Sequence, residues 1–179
     1  KKNPMKKAIV WEGEDGAKRE FTYEELLSEV SRLANGLKSI GVKKGDRVTV
    51  YLPMVPELVI SLLACARIGA IHTVIFSGFS AKSMRDRVDD SKSKVIITAD
   101  GGRRRGAIIK LKDIVDEAIK DLDFVENVIV LTHTKNPITM TKKDQKWQDL
   151  VSDMSSSCNA EMLDSTHPLY ILYTSGTTG

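Results

Sequence analysis

An α/β fold with a mainly parallel sheet and flanking helices is what this sequence predicts, on three observations. Short apolar runs alternate with longer stretches of helical periodicity along the chain. Internal runs such as "SKVIITAD" are near-continuously apolar, as strands covered on both faces are. The 179 residues, 41% hydrophobic and 28% charged, have the size and make-up of a globular domain with its own core.

The elements follow in order. "KKAIVWE" reads as a short strand, and "REFTYEEL" as a strand feeding a helix. Thr22 suits the N-cap, and Glu25 three residues on completes a capping box. Leu26, Leu27, Val30, Leu33, Ala34, Leu37 and Ile40 then share one helical face, and Gly41 ends it as a C′ glycine. "DRVTVYLP" is the next strand. Pro56 fits the first turn of a well-buried helix over about 57–68. "AIHTVIF" is a strand, "SGFS" a turn, and Ser80 the cap of a helix reaching about Ser91.

"SKVIITAD" follows as a strand and "GGRRRG" as a loop. Leu111, Ile114, Val115, Ala118, Ile119 and Leu122 make another helical stripe, and "ENVIVLT" another strand. From His133 to Thr166 the pattern weakens to a polar, Ser-rich surface excursion with one short helix at "WQDLVSDM". "PLYILYT" resumes as a buried strand. No internal repeat or low-complexity segment interrupts this single unit.

Composition narrows the classes of function. A formal net charge of +3 is too mild to indicate nucleic acid. Neither cysteine, Cys65 or Cys158, belongs to a CxxC pair, so no disulfide framework is read and a reducing compartment, the cytoplasm, is expected. The basic start "KKNPMKKAIV" lacks the sustained apolar run of a signal peptide. The longest apolar stretch is broken by Arg67, Gly69 and His72, so it reads as helix then strand, not a membrane span.

Ligands of open parallel sheets bind beyond the carboxyl ends of the strands, where "SGFS", "DGGRRRG" and "TSGTTG" are expected. In the last, Thr174, Ser175, Thr177 and Thr178 offer hydroxyls, while Gly176 and Gly179 let backbone N–H groups converge on phosphate oxygens. No GK[ST] follows, so it is not a Walker A loop. A plain Ser/Thr/Gly turn is the competing reading. Arg103, Arg104 and Arg105 suit a phosphorylated ligand, although composition alone favours a solvated charge run paired with nearby aspartates. Phe76 and Phe79 around Ser77–Gly78 could receive a flat ring, but core-filling phenylalanines are commoner. His72 reads as a satisfied core or edge residue, and Trp11 and Trp147 as packing residues. His133 and His167 have no zinc-ligand spacing.

"LYILYTSGTTG" resembles the phosphate-binding signature of the adenylate-forming superfamily. "YLPMVPE", "ACARIGAIH", "FSGFS" and "ITADGG" look like its acetyl-CoA synthetase branch. The resemblance implies the large N-terminal domain of an AMP-forming acyl-CoA synthetase. In that reaction a carboxylate, acetate or another short-chain acid, attacks ATP, and the acyl-adenylate passes to coenzyme A, with Mg²⁺ on the phosphates. It implies that Thr174 to Gly179 hold the ATP phosphates, and that Phe76, Ser77, Gly78, Arg104, Arg105 and Gly106 form the coenzyme A site.

Two positions depart from the family. Ala107 stands where a basic residue is usual, with Arg103 or Arg105 as possible substitutes. His167 stands where an acidic residue usually precedes the proline. The catalytic residues are expected after Gly179, so residues 1–179 read as one incomplete domain, inactive alone. A non-catalytic nucleotide- or coenzyme-A-binding module is the alternative.

Overall fold

A computed structural model of the chain describes residues 3–174. The chain opens with an antiparallel hairpin of β1 (Lys7–Glu12) and β2 (Lys18–Thr22). Thr22 then caps α1 (Tyr23–Ser39) in the expected capping box. Its hydroxyl accepts the Glu25 N–H at 3.2 Å, and the Glu25 carboxylate accepts the Thr22 N–H at 2.8 Å. Gly41, with φ +90°, takes the left-handed turn that ends the helix.

β3 (Arg47–Tyr51) leads into α2 (Pro56–Arg67), which starts on its proline, and β4 (Ile71–Val74) into α3 (Ala81–Ser91), where the Ser80 hydroxyl accepts the Ser83 N–H. β5 (Val95–Ala99) is buried along its whole length. β6 (Gly102–Arg104) and β7 (Ala107–Ile109) form a second antiparallel hairpin, followed by α4 (Leu111–Ile119) and β8 (Asn127–Leu131). β9 (Asp144–Lys146), α5 (Trp147–Ser152) and β10 (Tyr170–Ile171) complete the described elements.

Six strands make one parallel sheet in the order β10-β4-β3-β5-β8-β9. The crossover from β3 to β4 runs one way along the sheet and that from β4 to β5 runs back past β3. Right-handed crossovers of opposite direction put α2 and α3 on opposite faces. Accordingly α1 packs on α2 and α5, while α3 packs on α4. Val48, Val50, Ile96, Ile97, Val128 and Ile129 of the inner strands lie in one buried cluster with Leu33, Leu37, Ile60, Met84, Val88 and Val115 of the helices. Both cysteines are free and buried, and burial pushes the Cys65 thiol up to about 12.

Three expectations need correction. "GGRRRG" is a hairpin rather than a loop. Arg105 and Gly106 carry φ of 53° and 78°, the two positive values that a two-residue turn needs to match strand twist. The stretch 133–166 is only partly a surface excursion, because β9 joins the sheet and Trp147, Leu150 and Cys158 are buried. "PLYILYT" is a short edge strand, with Leu169, Tyr170 and Leu172 exposed.

Candidate functional site

A cavity of about 260 Å³ opens at the carboxyl edge of the sheet. Pro53 and Val55 reach it after β3, Phe76 and Ser77 after β4, and Gly102 to Arg104 after β5, while Trp11 to Asp15 of the first hairpin border it from above. β3 and β5 are neighbours whose following helices lie on opposite faces. Their ends therefore diverge and leave the crevice in which such sheets bind ligands. Two of the three loops singled out in the sequence thus meet at one place.

The loop after β4 is held from below. The Tyr51 hydroxyl lies 3.0 Å from the Phe79 carbonyl and 3.4 Å from that of Ser77. Burial pushes the Tyr51 phenol up to about 12, so it stays a neutral donor. Phe76 and Phe79 meet edge to face at 6.1 Å and are 52% and 39% exposed, so they do not fill the core. The Arg104 guanidinium lies 5.4 Å from the Phe76 ring centre. Gly78 permits that approach, since a Cβ there would fall 2.5 Å from the Arg104 head and 2.6 Å from the Phe76 ring.

The three arginines differ. Arg104 faces Ala107 across the hairpin and turns to the aromatic loop. The Arg103 Nε lies 3.3 Å from an Asp15 carboxylate oxygen, the aspartate pairing that composition favoured. Arg105 sits in the turn, and its backbone N–H donates to the Glu14 carboxylate at 3.3 Å. The Asp15 carboxyl is held below its ordinary range, foremost by the Ala17 N–H and also by the Arg103 charge.

Several lining residues escaped the sequence reading. Trp11 donates its indole N–H to the Met54 carbonyl at 2.6 Å and meets His133 edge to face at 6.4 Å, and both line the cavity with Phe76. Buried Asp100 fastens the floor. One of its carboxylate oxygens accepts the N–H groups of Gly101, His133 and Thr134 at 2.7, 2.9 and 2.9 Å, and the other accepts that of Asn136 at 3.1 Å. An aspartate ending an apolar strand, as in "ITAD", was the available signal. Tips of polar hairpins such as "GEDG" carry none.

Of the terminal loop, Thr174 is described, whereas Ser175, Gly176, Thr177, Thr178 and Gly179 lie outside the described residues. The strand that leads to it is anchored on α3. The Tyr173 hydroxyl donates to Asp90 at 2.6 Å, and the Arg87 guanidinium lies 5.4 Å over the Tyr173 ring and 4.6 Å over that of Phe79. Burial, foremost, and the Asp90 charge push the Tyr173 phenol up. His72 is buried and stacks on Tyr170 at 5.9 Å, but its Nδ1 has no hydrogen-bond partner, so it is not the satisfied residue expected. His167 buttresses the sheet, with Nε2 2.9 Å from the Gly69 carbonyl. Among the described residues no group of three or more His, Cys, Asp or Glu could hold a metal ion, and no helix is long and apolar enough to cross a membrane.

Comparisons with known proteins agree with one another. The sequence matches the family described as AMP-binding enzyme over residues 1–179. It is 54% identical over 175 residues to an acetyl-coenzyme A synthetase of Chlorobaculum tepidum and 52% identical over 180 residues to one of Coprinopsis cinerea. These alignments cover 97% and 99% of the chain but 27% of each relative. The chain therefore spans about a quarter of the length of these relatives. Among solved structures, acetoacetyl-CoA synthetase from Streptomyces lividans superposes with a TM-score of 0.90 at 32% identity, over 99% of this chain and 27% of that one.

Proposed function

This chain belongs to the AMP-binding enzyme family, and we propose that it is the N-terminal part of an AMP-forming acyl-CoA synthetase that acts on acetate or another short-chain acid. The carboxylate attacks the α-phosphate of ATP and expels pyrophosphate; the coenzyme A thiol then displaces AMP from the acyl-adenylate. The observation that carries this reading is the convergence of Arg104 and the Phe76–Gly78 loop on one cavity at the sheet's carboxyl edge. The Phe76 ring offers a face to a nucleobase, and Arg104 offers a guanidinium fork to a phosphate. Arg105 and Gly106 form the turn that presents Arg104. Ser77 lines the cavity beside Phe76.

Thr174 to Gly179 would take the β- and γ-phosphates of ATP, on a strand anchored through Tyr173. The described residues offer no ligand set for Mg²⁺, which would arrive with the nucleotide. The acyl pocket, the adenine contacts and a C-terminal domain would belong to the length of the relatives that the chain does not span, so residues 1–179 alone would be inactive. Two free cysteines fit a cytoplasmic enzyme.

The test is pyrophosphate release by the complete protein with ATP, coenzyme A and a panel of carboxylates. Acid-dependent release is expected, and its absence across acetate, propionate and longer acids overturns the proposal. Arg104→Ala should slow thioester formation about ten- to a hundredfold, as loss of a charged hydrogen bond does, while sparing adenylation. Equal loss of both half-reactions rejects the role given to Arg104.

A further inference from the structure

We propose that Arg103 is the charge-selecting residue of the cavity and Asp15 its internal competitor, which a ligand with a second phosphate centre displaces. This rests on reading the cavity as the coenzyme A site.

Coenzyme A carries two separate anionic centres, a diphosphate and a 3′-phosphate. Arg104 answers one of them. The residue facing Arg104 on the hairpin is Ala107, which brings no charge. The second cation must come from elsewhere on the wall. Arg105 does not line the cavity, and its backbone N–H already serves Glu14. Arg103 does line it, immediately beside Arg104.

Arg103 is held by Asp15 through a single contact, Nε to carboxylate at 3.3 Å, with the two side chains 39% and 41% exposed. Solvated pairs of this kind are weak. A phosphate dianion that meets the guanidinium fork in bidentate fashion is the stronger partner. Asp15 also repels an entering phosphate and loses its own cation when Arg103 turns away. A singly phosphorylated centre, satisfied by Arg104, has no reason to break the pair. A ligand with a second centre gains Arg103 by breaking it. Arg103 therefore favours the doubly anionic ligand over its mono-centre analogue, and Asp15 limits the size of that preference.

The experiment is calorimetric titration of the complete protein with coenzyme A and with dephospho-coenzyme A, which lacks the 3′-phosphate. Wild type should prefer coenzyme A, and Arg104→Ala should weaken both ligands. Arg103→Ala should remove most of the preference, and Arg103→Lys should restore part of it. Asp15→Asn should tighten coenzyme A about three- to tenfold, the scale of one nearby charge at a solvated site, and dephospho-coenzyme A less.

Competition further requires that Asp15→Asn gain less in the Arg103→Ala background. An equal gain there means plain repulsion and overturns the competitor role. If coenzyme A binds through Arg104 but neither Asp15→Asn nor Arg103→Ala changes the preference, the inference falls and the site reading stands. If wild type does not bind coenzyme A, or binds it unchanged after Arg104→Ala, the site reading falls and takes the inference with it.

Discussion

Among the described residues, the two edges of the parallel sheet differ in what covers them. At one, β9 reads "DQK", with no apolar residue, yet the Asp144 side chain is fully buried against Lys112 at 2.9 Å, and Lys112 also meets both oxygens of Asp116 at 2.5 and 2.7 Å. Lys112 itself is inaccessible, and Trp147 follows β9 into the core. At the other edge, β10 comes from one of the more apolar runs in the chain and leaves Leu169, Tyr170 and Leu172 exposed. An apolar run states that a surface is suited to cover. It does not state that these residues supply the cover. A polar strand enters the sheet when a charge from a neighbouring helix meets its own.

That contrast can be broken most forcefully at Lys112. Lys112→Ala leaves buried Asp144 without its cation and should cost about 3–5 kcal/mol, read from denaturant unfolding. Lys112→Met, which keeps the stem, should come within about 1 kcal/mol of that loss if charge rather than packing closes the edge. A well-tolerated Met would place the two edges on the same footing. Next in size is the pH response of His72, on the strand beside β10. Burial lowers its pKa below the ordinary 6.5, so the unfolded chain binds the proton more readily. Stability should be full above about pH 6.5 and should decline as pH falls toward the lowered value. The denaturation midpoint checks this, and His72→Phe should flatten part of the decline. The smallest effect belongs to Leu172→Ser, expected within about 0.5 kcal/mol because the side chain is already in water. A larger loss would mean that the open edge is covered.

The central frame was legible because each signal was local. The capping box at Thr22, Gly41, Pro56 and the Ser80 cap all hold as read. The inner strands were equally plain, since burial on both faces leaves an apolar run. β9 was hidden because its burial depends on Lys112, more than thirty residues away, and no periodicity marks an ion pair. "GGRRRG" misled because arginines suggest solvent, whereas positive φ at Arg105 and Gly106 makes the stretch a hairpin. The aromatic and arginine halves of the site could be named individually. Their meeting, and the arrival of Trp11, Asp15 and His133, came from topology.

The two hairpins beside the cavity also differ in kind from the sheet beneath them. Each is stitched between near neighbours in sequence, Trp11 to Arg19 and Arg104 to Ala107, whereas the sheet pairs Val48 with Val95. Closing a short loop is entropically cheaper and faster than closing a long one. The hairpins can therefore fray and re-form on their own clock while the sheet stays shut, as small cooperative units do. Opening either hairpin breaks only these local pairs and leaves the long-range pairing of the sheet intact.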